Sequence, residues 1–367
     1  MVPQVLEPVS KLIETGSFYF IKNYTNKLGA KKMSNYSVFL PSYSIGDDVY
    51  KEIPKICEAY GRKAVVVGGK TAMAKAREAL LESVKGSNIE ISDFVWFGGD
   101  STYENVEMLK KNPVVANADM IFAVGGGRSV DTSKTMCDQT GQPIFVFPTI
   151  ASNCAAITET TVIYDSNHVF KELYFPKKPA THCFINTKII AEAPSNFIWA
   201  GIGDALSKEY ECTFSSRGDE LDHTNLLGVD ISRNCVEPLL KYGKKAYEDA
   251  KVHRVSEELE QVILNIIITA GLVPVLVIND YNSCLAHSVY YGCTTLEKIE
   301  KNHLHGEVVS YGVLVMLTCD KQFKERDRVY SFNKNLGLPT CLADIEVEEK
   351  DLDKVLDKAM ETGDIKH

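Results

Sequence analysis

Three residues in the second half of the chain have the side chains of a metal site. Asp204 lies in AGIGDALSK, His287 in CLAHSVYYG and His305 in HLHGE. One carboxylate and two neutral imidazoles suit a zinc ion with three protein ligands, and the open fourth position is what catalysis requires. A lone aspartate is more often solvated and a lone histidine more often a satisfied polar residue, so the residue types alone leave that ordinary alternative open.

The spacing of these residues limits how they can meet. The two histidines are 18 positions apart, which is about 27 Å along one straight helix. They must therefore lie on two segments that fold back on each other, and Gly292 permits such a break. Gly201 and Gly203 are poor helix formers, so another element is expected to pack closely against the helix that carries Asp204.

A run of three glycines predicts a second kind of site. Gly125, Gly126 and Gly127 follow the apolar run MIFAV and precede a Ser/Asp/Thr-rich segment, a pattern typical of a strand, a turn and a helix N-terminus. Glycines let a ligand approach the main chain, and a helix N-terminus attracts anions such as phosphate. The run is neither G-x-G-x-x-G nor a Walker A loop, so a tight turn without a ligand is the alternative.

The pattern around the glycines predicts an α/β fold. Strands are predicted at 63–67, 120–124 and 143–149, and a strand with its turn at 93–100. Helices are predicted at 71–86, through 106–109 and from Ser129, and a hairpin at 160–175. Strands that alternate with helices form a mainly parallel sheet covered on both faces. Ligands bind beyond the carboxyl ends of such strands, where Gly68, Gly98, Gly125 and Thr149 fall.

The pattern of predicted elements changes near residue 190, after which helical segments dominate. The first of these helices is capped by Pro194-Ser195 and ends before Gly218. We predict three parts: an N-terminal extension at 1–32, an α/β domain at 33–190 and a helical domain at 191–367. The extension could also reflect the choice of start site.

Composition excludes several classes of protein. The 40 Lys and Arg residues against 49 Asp and Glu residues give a net charge of −9, which argues against binding to nucleic acid or to an anionic membrane surface. The ten cysteines form no CxxC pair and indicate reduced thiols in the cytoplasm. The apolar segment 262–278 is interrupted by polar residues, Gly271 and Pro274, and predicts a kinked core helix, not a membrane span.

Five motifs in order carry a family resemblance: GGGRSVDTSK, FPTIAS, INTKIIAEAP, AGIGDALSKEYE and HGEVVSYGVLV. From about residue 36 onward, the sequence closely resembles the glycerol dehydrogenase branch of the iron-containing (group III) alcohol dehydrogenase superfamily. The resemblance implies a Rossmann-like dinucleotide-binding α/β domain, an all-α metal-binding domain, as in dehydroquinate synthase, and a catalytic cleft between them. Relatives usually continue into a last helix beyond the point where this sequence stops, at GDIKH, so the resemblance leads us to expect a truncated or trimmed form.

By this resemblance, Asp204, His287 and His305 match the metal ligands. The iron enzymes add a histidine four residues after the aspartate, where this sequence has Lys208. The resemblance therefore implies zinc in preference to iron. The function it implies is reversible hydride transfer between a nicotinamide cofactor and a small alcohol or carbonyl substrate.

The cofactor residues follow from the same resemblance. The glycine run matches the pyrophosphate loop, and further residues match the cofactor site: Gly69, Ser129, Thr149, Ser152, Val162 and Tyr164. NAD-preferring members place an acid at the position of Gly69, which is followed here by Lys70. Without that acid the sequence leaves NAD and NADP both open.

Cys154 is the candidate substrate-binding residue that departs from the family pattern. Glycerol dehydrogenases carry an aspartate there that holds a substrate hydroxyl, and a thiol is a weak hydrogen-bond partner. Glycerol and dihydroxyacetone are the first expected substrates, and 2-hydroxy acids with their 2-oxo acids are the alternative, as in the hydroxycarboxylate dehydrogenases.

Two other functions are less well supported. A sugar-phosphate cyclase would need a cluster of Lys, Arg and His for its phosphate and carboxylates, and the motifs offer little beyond Lys208 and Arg128. A redox sensor or scaffold is suggested only by Cys154. We expect the partners to be a small-molecule substrate and further copies of the chain in a homo-oligomer.

Overall fold

The computed structural model describes residues 36–166 and 168–362. The predicted extension at 1–32 and the terminal GDIKH lie outside the described residues. Between them the chain folds into an α/β part followed by a largely helical part, as expected from the sequence.

A six-stranded parallel sheet forms the first part, in the order β1-β8-β5-β4-β2-β3. A two-stranded antiparallel hairpin pairs β6 with β7. The strands are β1 (Tyr43–Gly46), β2 (Lys63–Gly68), β3 (Glu90–Trp96), β4 (Met120–Gly125), β5 (Ile144–Pro148), β6 (Thr161–Tyr164), β7 (Phe170–Tyr174) and β8 (His182–Asn186). The apolar runs of β2, β4, β5 and β8 are buried because helices cover both faces of the sheet.

Helices in the described residues connect the strands and build the second part. They are α1 (Ile53–Cys57), α2 (Lys70–Ser83), α3 (Tyr103–Lys111), α4 (Pro113–Ala116), α5 (Gly127–Thr140), α6 (Thr187–Ala191), α7 (Asn196–Ser215), α8 (His223–Ser232), α9 (Val236–Lys251), α10 (Glu257–Leu264), α11 (Ala270–Leu276), α12 (Asn279–Asn282), α13 (Leu285–Cys293), α14 (Glu297–Asn302), α15 (His305–Cys319), α16 (Phe323–Leu336) and α17 (Leu352–Glu361). Short 3₁₀ turns occur at Val49–Glu52, Glu58–Tyr60, Leu342–Ile345 and Glu349–Asp351.

The predicted strands and the hairpin are confirmed, with small shifts at the ends of elements. Helix α5 begins at Gly127, two residues before the expected Ser129. Glycine is a weak helix former, but a first-turn residue needs only helical backbone angles, and the cap residue Gly126 supplies the extended turn. The last two glycines of the run therefore belong to the helix N-terminus as well as to the loop.

The apolar segment at 262–278, long enough to be considered as a membrane span, lies in the core of the protein. Glu257–Leu276 is the one described helical run long and apolar enough to cross a membrane, and 67% of its apolar window is buried inside the protein. A π-helical segment at Asn265–Thr269 separates α10 from α11, and Pro274 lies within α11. The predicted core location is confirmed, and the helix is irregular already before the proline.

One hydrophobic core joins the two parts. It extends from sheet residues such as Val65 and Ile121 to helix residues such as Ile202, Ile266 and Val313. A second cluster covers the opposite face of the sheet. The domain boundary at residue 190 falls in the last turn of α6 and stays a prediction, since the core is continuous across it.

Candidate active site

Helices α7, α13 and α15 bring the three candidate metal ligands together. Asp204 lies in the middle of α7, His287 in the first turn of α13, and His305 is the first residue of α15. One ligand atom from each lies within 4.8 Å of the others. The two histidines lie on separate segments, as their spacing required, and the break between them contains α14.

Glycines let these helices approach at backbone distance. A Cβ on Gly203 would overlap the carbonyl oxygen of Gly306, and a Cβ on Gly306 would overlap that of Ala200. Gly312 meets the Ala286 carbonyl of α13 in the same way. These contacts fix α15 against both α7 and α13, so the ligand geometry depends on positions where no side chain fits. The close packing expected at Gly203 is confirmed.

Both imidazoles face one oxygen of Asp204. His305 Nε2 lies 3.1 Å from Asp204 Oδ1, and His287 Nε2 lies 3.7 Å from the same atom. Burial would raise the pKa of the Asp204 carboxyl, but the two histidines outweigh burial and hold this pKa well below its usual range. The aspartate is therefore ionised, as a metal ligand must be. His305 is the most open of the three, with 36% of its side chain exposed, so the site opens on its side.

Glu211 orients His287 and was missed in the sequence. Its Oε2 accepts a hydrogen bond from His287 Nδ1 at 2.7 Å, and its Oε1 accepts the backbone N–H groups of Cys284 at 2.8 Å and His287 at 2.9 Å. Because Nδ1 donates its proton to Glu211, Nε2 is the ring nitrogen left to bind a metal ion. The available signal was its position seven residues after Asp204, on the same helix face.

The donor set fits a divalent metal ion. A buried carboxylate and two imidazole nitrogens, one held in its tautomer by a buried carboxylate, are a usual set for zinc and also occur with iron. Lys208, one turn after Asp204, offers an ammonium and no lone pair while it is protonated. Asp204, His287 and His305 are thus the three protein ligands that would hold the ion.

The glycine run forms a cradle at the carboxyl edge of the sheet. Gly125 ends β4 with φ of 143°, and a Cβ there would overlap the hydroxyl of Ser129. A Cβ on Gly126 would lie 2.6 Å from Ile150 Cδ1. The N-terminus of α5 has no side-chain cap, so its first N–H groups are available to an anion.

The loop after β5 connects this cradle with the metal helix. Ile150 packs over Gly126, and the next residue, Ala151, places its carbonyl oxygen where a Cβ on Gly201 would lie. Gly201 is one turn before Asp204 on α7. The phosphate-binding candidate and the metal candidate therefore share a wall, at the junction of the sheet and the helical part.

Comparison with known proteins identifies the family of this chain. Residues 41–185 match the family model described as iron-containing alcohol dehydrogenase. A glycerol dehydrogenase from Thermotoga maritima is 35% identical over 280 residues, which cover 74% of this chain and 75% of the relative. This chain belongs to the iron-containing alcohol dehydrogenase family. Within the family it falls in the glycerol dehydrogenase branch.

Two further relatives show the range of this branch. Hydroxycarboxylate dehydrogenase A from Escherichia coli is 29% identical over 304 residues, covering 80% of this chain and 81% of the relative. The crystal structure of a probable glycerol dehydrogenase from Sinorhizobium meliloti superposes with a TM-score of 0.79 at 26% identity, covering 90% of this chain and 92% of that one. The expected family and fold are confirmed, and the relatives' different names leave the substrate open.

The other predicted cofactor residues of this family member line the same edge. Ser129 is buried and its hydroxyl donates to the carbonyl oxygens of Val124 and Gly126, so its side chain braces the turn. Thr149 is buried and its N–H donates to the Gly125 carbonyl at 3.2 Å. Ser152 is half-buried in the connecting loop. Their contact with a cofactor stays a prediction.

The hairpin is anchored to α5 by buried charges. Asp131 accepts the backbone N–H of Val162 at 3.1 Å. Lys134 donates to the carbonyl oxygens of Ala155, Thr158 and Thr160, each at 2.9 Å. The Asp and Lys of the SVDTSK motif thus fix the segment before and at the start of β6.

The anchored strand β6 also carries Tyr164, half-buried, with the Arg128 guanidinium 5.0 Å from the centre of its ring. Val162 lies two residues earlier on the same strand, and both stay predicted nicotinamide neighbours.

The carboxyl end of β2 is open. Gly69 caps α2 with an ordinary φ of −72°, and a Cβ there would meet nothing closer than 3.8 Å. Lys70 follows, with its ammonium 4.9 Å from the centre of the Trp96 ring. A cation beside an open strand end can bind a phosphate group.

Cys154 lies in the loop after β5 and Lys208 lies on α7, the helix that carries Asp204. Cys154 packs close to Gly271 of α11, because a Cβ added to Gly271 would lie 3.3 Å from the Cβ of Cys154. Burial raises the pKa of the Cys154 thiol, so the thiol is uncharged near neutral pH. Lys208 is buried, at 4% exposure, and the sequence predicts no substrate role for it.

Proposed function

We propose that this protein is a metal-dependent, NAD(P)-linked dehydrogenase of the glycerol dehydrogenase type, which interconverts a small alcohol and its carbonyl. The observation that carries the proposal is the Asp204, His287 and His305 cluster, oriented by Glu211, beside the wall it shares with the glycine cradle. Zinc is proposed over iron because Lys208 stands where a fourth donor would be.

The chain's own residues have separate tasks. Asp204, His287 and His305 hold the ion, which when bound acts as a Lewis acid toward the substrate oxygen. Glu211 keeps the His287 proton on Nδ1. Gly125 to Gly127 and the α5 N-terminus hold the pyrophosphate of the cofactor, which when bound exchanges the hydride.

The hairpin that is anchored to α5 and the loop after β5 would orient a bound nicotinamide ring against the substrate. Correct orientation of two reactants removes a large part of the barrier. The proposed contacts are those of Thr149 and Ser152 from the loop and of Val162 and Tyr164 from the hairpin.

Two substrate classes remain as proposals. Glycerol and dihydroxyacetone follow from the named relatives. The 2-hydroxy acids and 2-oxo acids are favoured by Cys154, a neutral and weakly hydrogen-bonding group. Gly69, with Lys70 beside it, favours testing NADP as well as NAD.

The test is cofactor oxidation followed by absorbance, with zinc-loaded protein, NADH or NADPH, and either hydroxyacetone or 2-oxobutyrate. Turnover that requires zinc and one of these carbonyls supports the proposed function. No turnover with any of the four combinations, in protein shown to contain zinc and to bind the cofactor, would reject it.

Location and assembly are also proposals. All ten cysteines are free thiols, which supports a reducing compartment and hence the cytoplasm. A homo-oligomer is proposed from the family resemblance alone.

A further inference from the structure

Lys208 is a buried ammonium beside the candidate metal ligands. It follows Asp204 by one helical turn and precedes Glu211 by three residues on α7, so all three share one face of the helix. Buried lysines are rare unless they are paired. Lys208 therefore requires an explanation of its own.

The hydrogen bonds of Lys208 are long and go to neutral groups. Its Nζ lies 3.3 Å from the carbonyl oxygen of Asn282 and 3.2 Å from Asn282 Oδ1. Across 36–166 and 168–362, no carboxylate oxygen lies within the 4.0 Å of an ion pair with Lys208. An ammonium has three donors, so Nζ retains capacity for an anionic acceptor.

Lys208 nevertheless remains charged. Burial would lower its pKa, but the attraction of the negative groups around it, among them the carboxylates of Asp204 and Glu211 on the same helix face, outweighs burial, and the pKa of Lys208 is raised. Lys208 follows Asp204 by one turn on α7, and its Nζ bonds to Asn282, five residues before His287. The ammonium therefore lies between the segments that carry two of the metal ligands, and Cys154 of the loop after β5 is among its neighbours. The gap between these segments is the substrate side of the proposed site.

The charges around this gap favour an anion. With a divalent ion in place, Asp204 and Glu211 cancel the charge of the ion, and the histidines are neutral as ligands. The Lys208 charge is then uncompensated, because Cys154 is an uncharged thiol. A buried ammonium without a counter-charge is costly and tends to lose its proton, and a substrate that carries one negative charge supplies the counter-charge and keeps Lys208 protonated.

We propose that Lys208 binds the carboxylate of the substrate and that the natural substrates are therefore 2-oxo acids and their 2-hydroxy acids. In a 2-oxo acid the carboxylate is bonded directly to the carbon that accepts the hydride. It can reach a cation one helical turn from a metal ligand while its keto oxygen faces the ligands. This inference rests on the proposed function and specifies its substrate class.

The first test compares two substrates with the wild-type protein. 2-Oxobutyrate and 1-hydroxy-2-butanone differ only in a carboxylate against a hydroxymethyl group. A charge-assisted buried contact should raise kcat/KM for 2-oxobutyrate at least about thirtyfold over the neutral ketone. Turnover of both at similar kcat/KM would overturn the carboxylate contact while leaving the proposed function intact, and turnover of neither would reject the proposed function itself.

The second test replaces Lys208 by a neutral chain of similar length. Lys208→Met should lower kcat/KM for 2-oxobutyrate about a hundredfold and leave 1-hydroxy-2-butanone within about fivefold. Equal loss on both substrates would overturn the proposal, because a proton relay or a structural lysine would affect both. Lys241→Met, which removes an exposed charge from the helical part, is the matched control.

A binding measurement removes the dependence on turnover. Calorimetric titration of 2-oxobutyrate into zinc-loaded protein with the oxidised cofactor forms a complex that cannot react. Wild type and Lys241→Met should bind alike, and Lys208→Met should bind about a hundredfold more weakly with its zinc content unchanged. Undiminished binding to Lys208→Met would overturn the proposal. If that variant does not fold, the wild-type comparison of the two substrates still decides.

Discussion

Replacing Glu211 by glutamine tests whether this residue holds the metal site in its working form. The carboxylate accepts three hydrogen bonds, two on Oε1 from backbone N–H groups and one on Oε2 from His287 Nδ1. A glutamine has only one acceptor oxygen. The glutamine oxygen satisfies the larger number of donors when it faces the two backbone N–H groups. The glutamine NH₂ group must then face His287 Nδ1.

The amide N–H then favours a lone pair on Nδ1 and moves the imidazole proton to Nε2, the atom that faces Asp204. A protonated Nε2 cannot bind a metal ion. Loss of such an orienting partner lowers metal affinity about 10- to 100-fold, which corresponds to about 1.4 to 2.8 kcal/mol. The Glu211→Gln variant should also be less stable without metal, by about 1 to 3 kcal/mol, because a neutral hydrogen bond replaces the buried one between the imidazole and a charged carboxylate.

Competition for zinc against a chromophoric chelator measures this change directly. Glu209→Gln is the control, because Glu209 lies on the same helix but its carboxylate accepts a hydrogen bond from the Val236 N–H, away from the histidines. A folded Glu211→Gln protein that binds zinc within threefold of wild type would refute the role assigned to Glu211.

Two further predictions concern packing and pH. Gly306→Ala places a Cβ onto the Ala200 carbonyl oxygen and 2.9 Å from Asp204 Cβ. We therefore expect the free energy of unfolding, measured by denaturation, to fall by about 1 to 3 kcal/mol, and zinc binding, measured by chelator competition, to weaken. Unchanged values would show that the helices need not approach so closely. Burial raises the pKa of Glu209 from its ordinary 4.5 to about 7, so the folded state holds this proton more tightly than the unfolded chain, and its contribution is complete below about pH 4.5 and lost as the pH rises through 7. The contribution of this proton to the free energy of unfolding is at most about 3 kcal/mol. The Glu209→Gln variant should lack this part of the pH dependence when denaturant unfolding is followed from pH 5 to 8. The same dependence of unfolding free energy on pH in both proteins would contradict the prediction.

The sequence predicts the sheet well because its signals are local. The apolar runs before Gly68 and Gly125 are long enough to identify buried strands, and each strand ends one residue beyond the predicted run, at the glycine itself. The start of α5 was placed two residues late because glycines weaken helix propensity while their position in a first turn tolerates them. Propensity alone does not distinguish a glycine loop from a glycine helix N-terminus.

The metal cluster depended on more than spacing. Nothing local in the sequence pairs His287 with His305, since what brings them together is backbone contact through Gly203, Gly306 and Gly312. The motifs shared with a family supplied that pairing. Glu211 and Lys208 were not assigned because their roles arise from the partners that the fold places opposite them, which a residue type does not reveal.

The most direct test of the central claim is the His287→Ala variant. Turnover of NADH or NADPH with the preferred carbonyl substrate is measured by absorbance in zinc-supplemented protein, and cofactor binding by fluorescence titration in the same samples. Removal of a ligand to an ion that contributes several kcal/mol should lower kcat/KM by at least about a thousandfold while the cofactor dissociation constant stays within threefold of wild type. Turnover retained in the folded variant would contradict the account, because the Asp204, His287 and His305 cluster would then not carry the reaction.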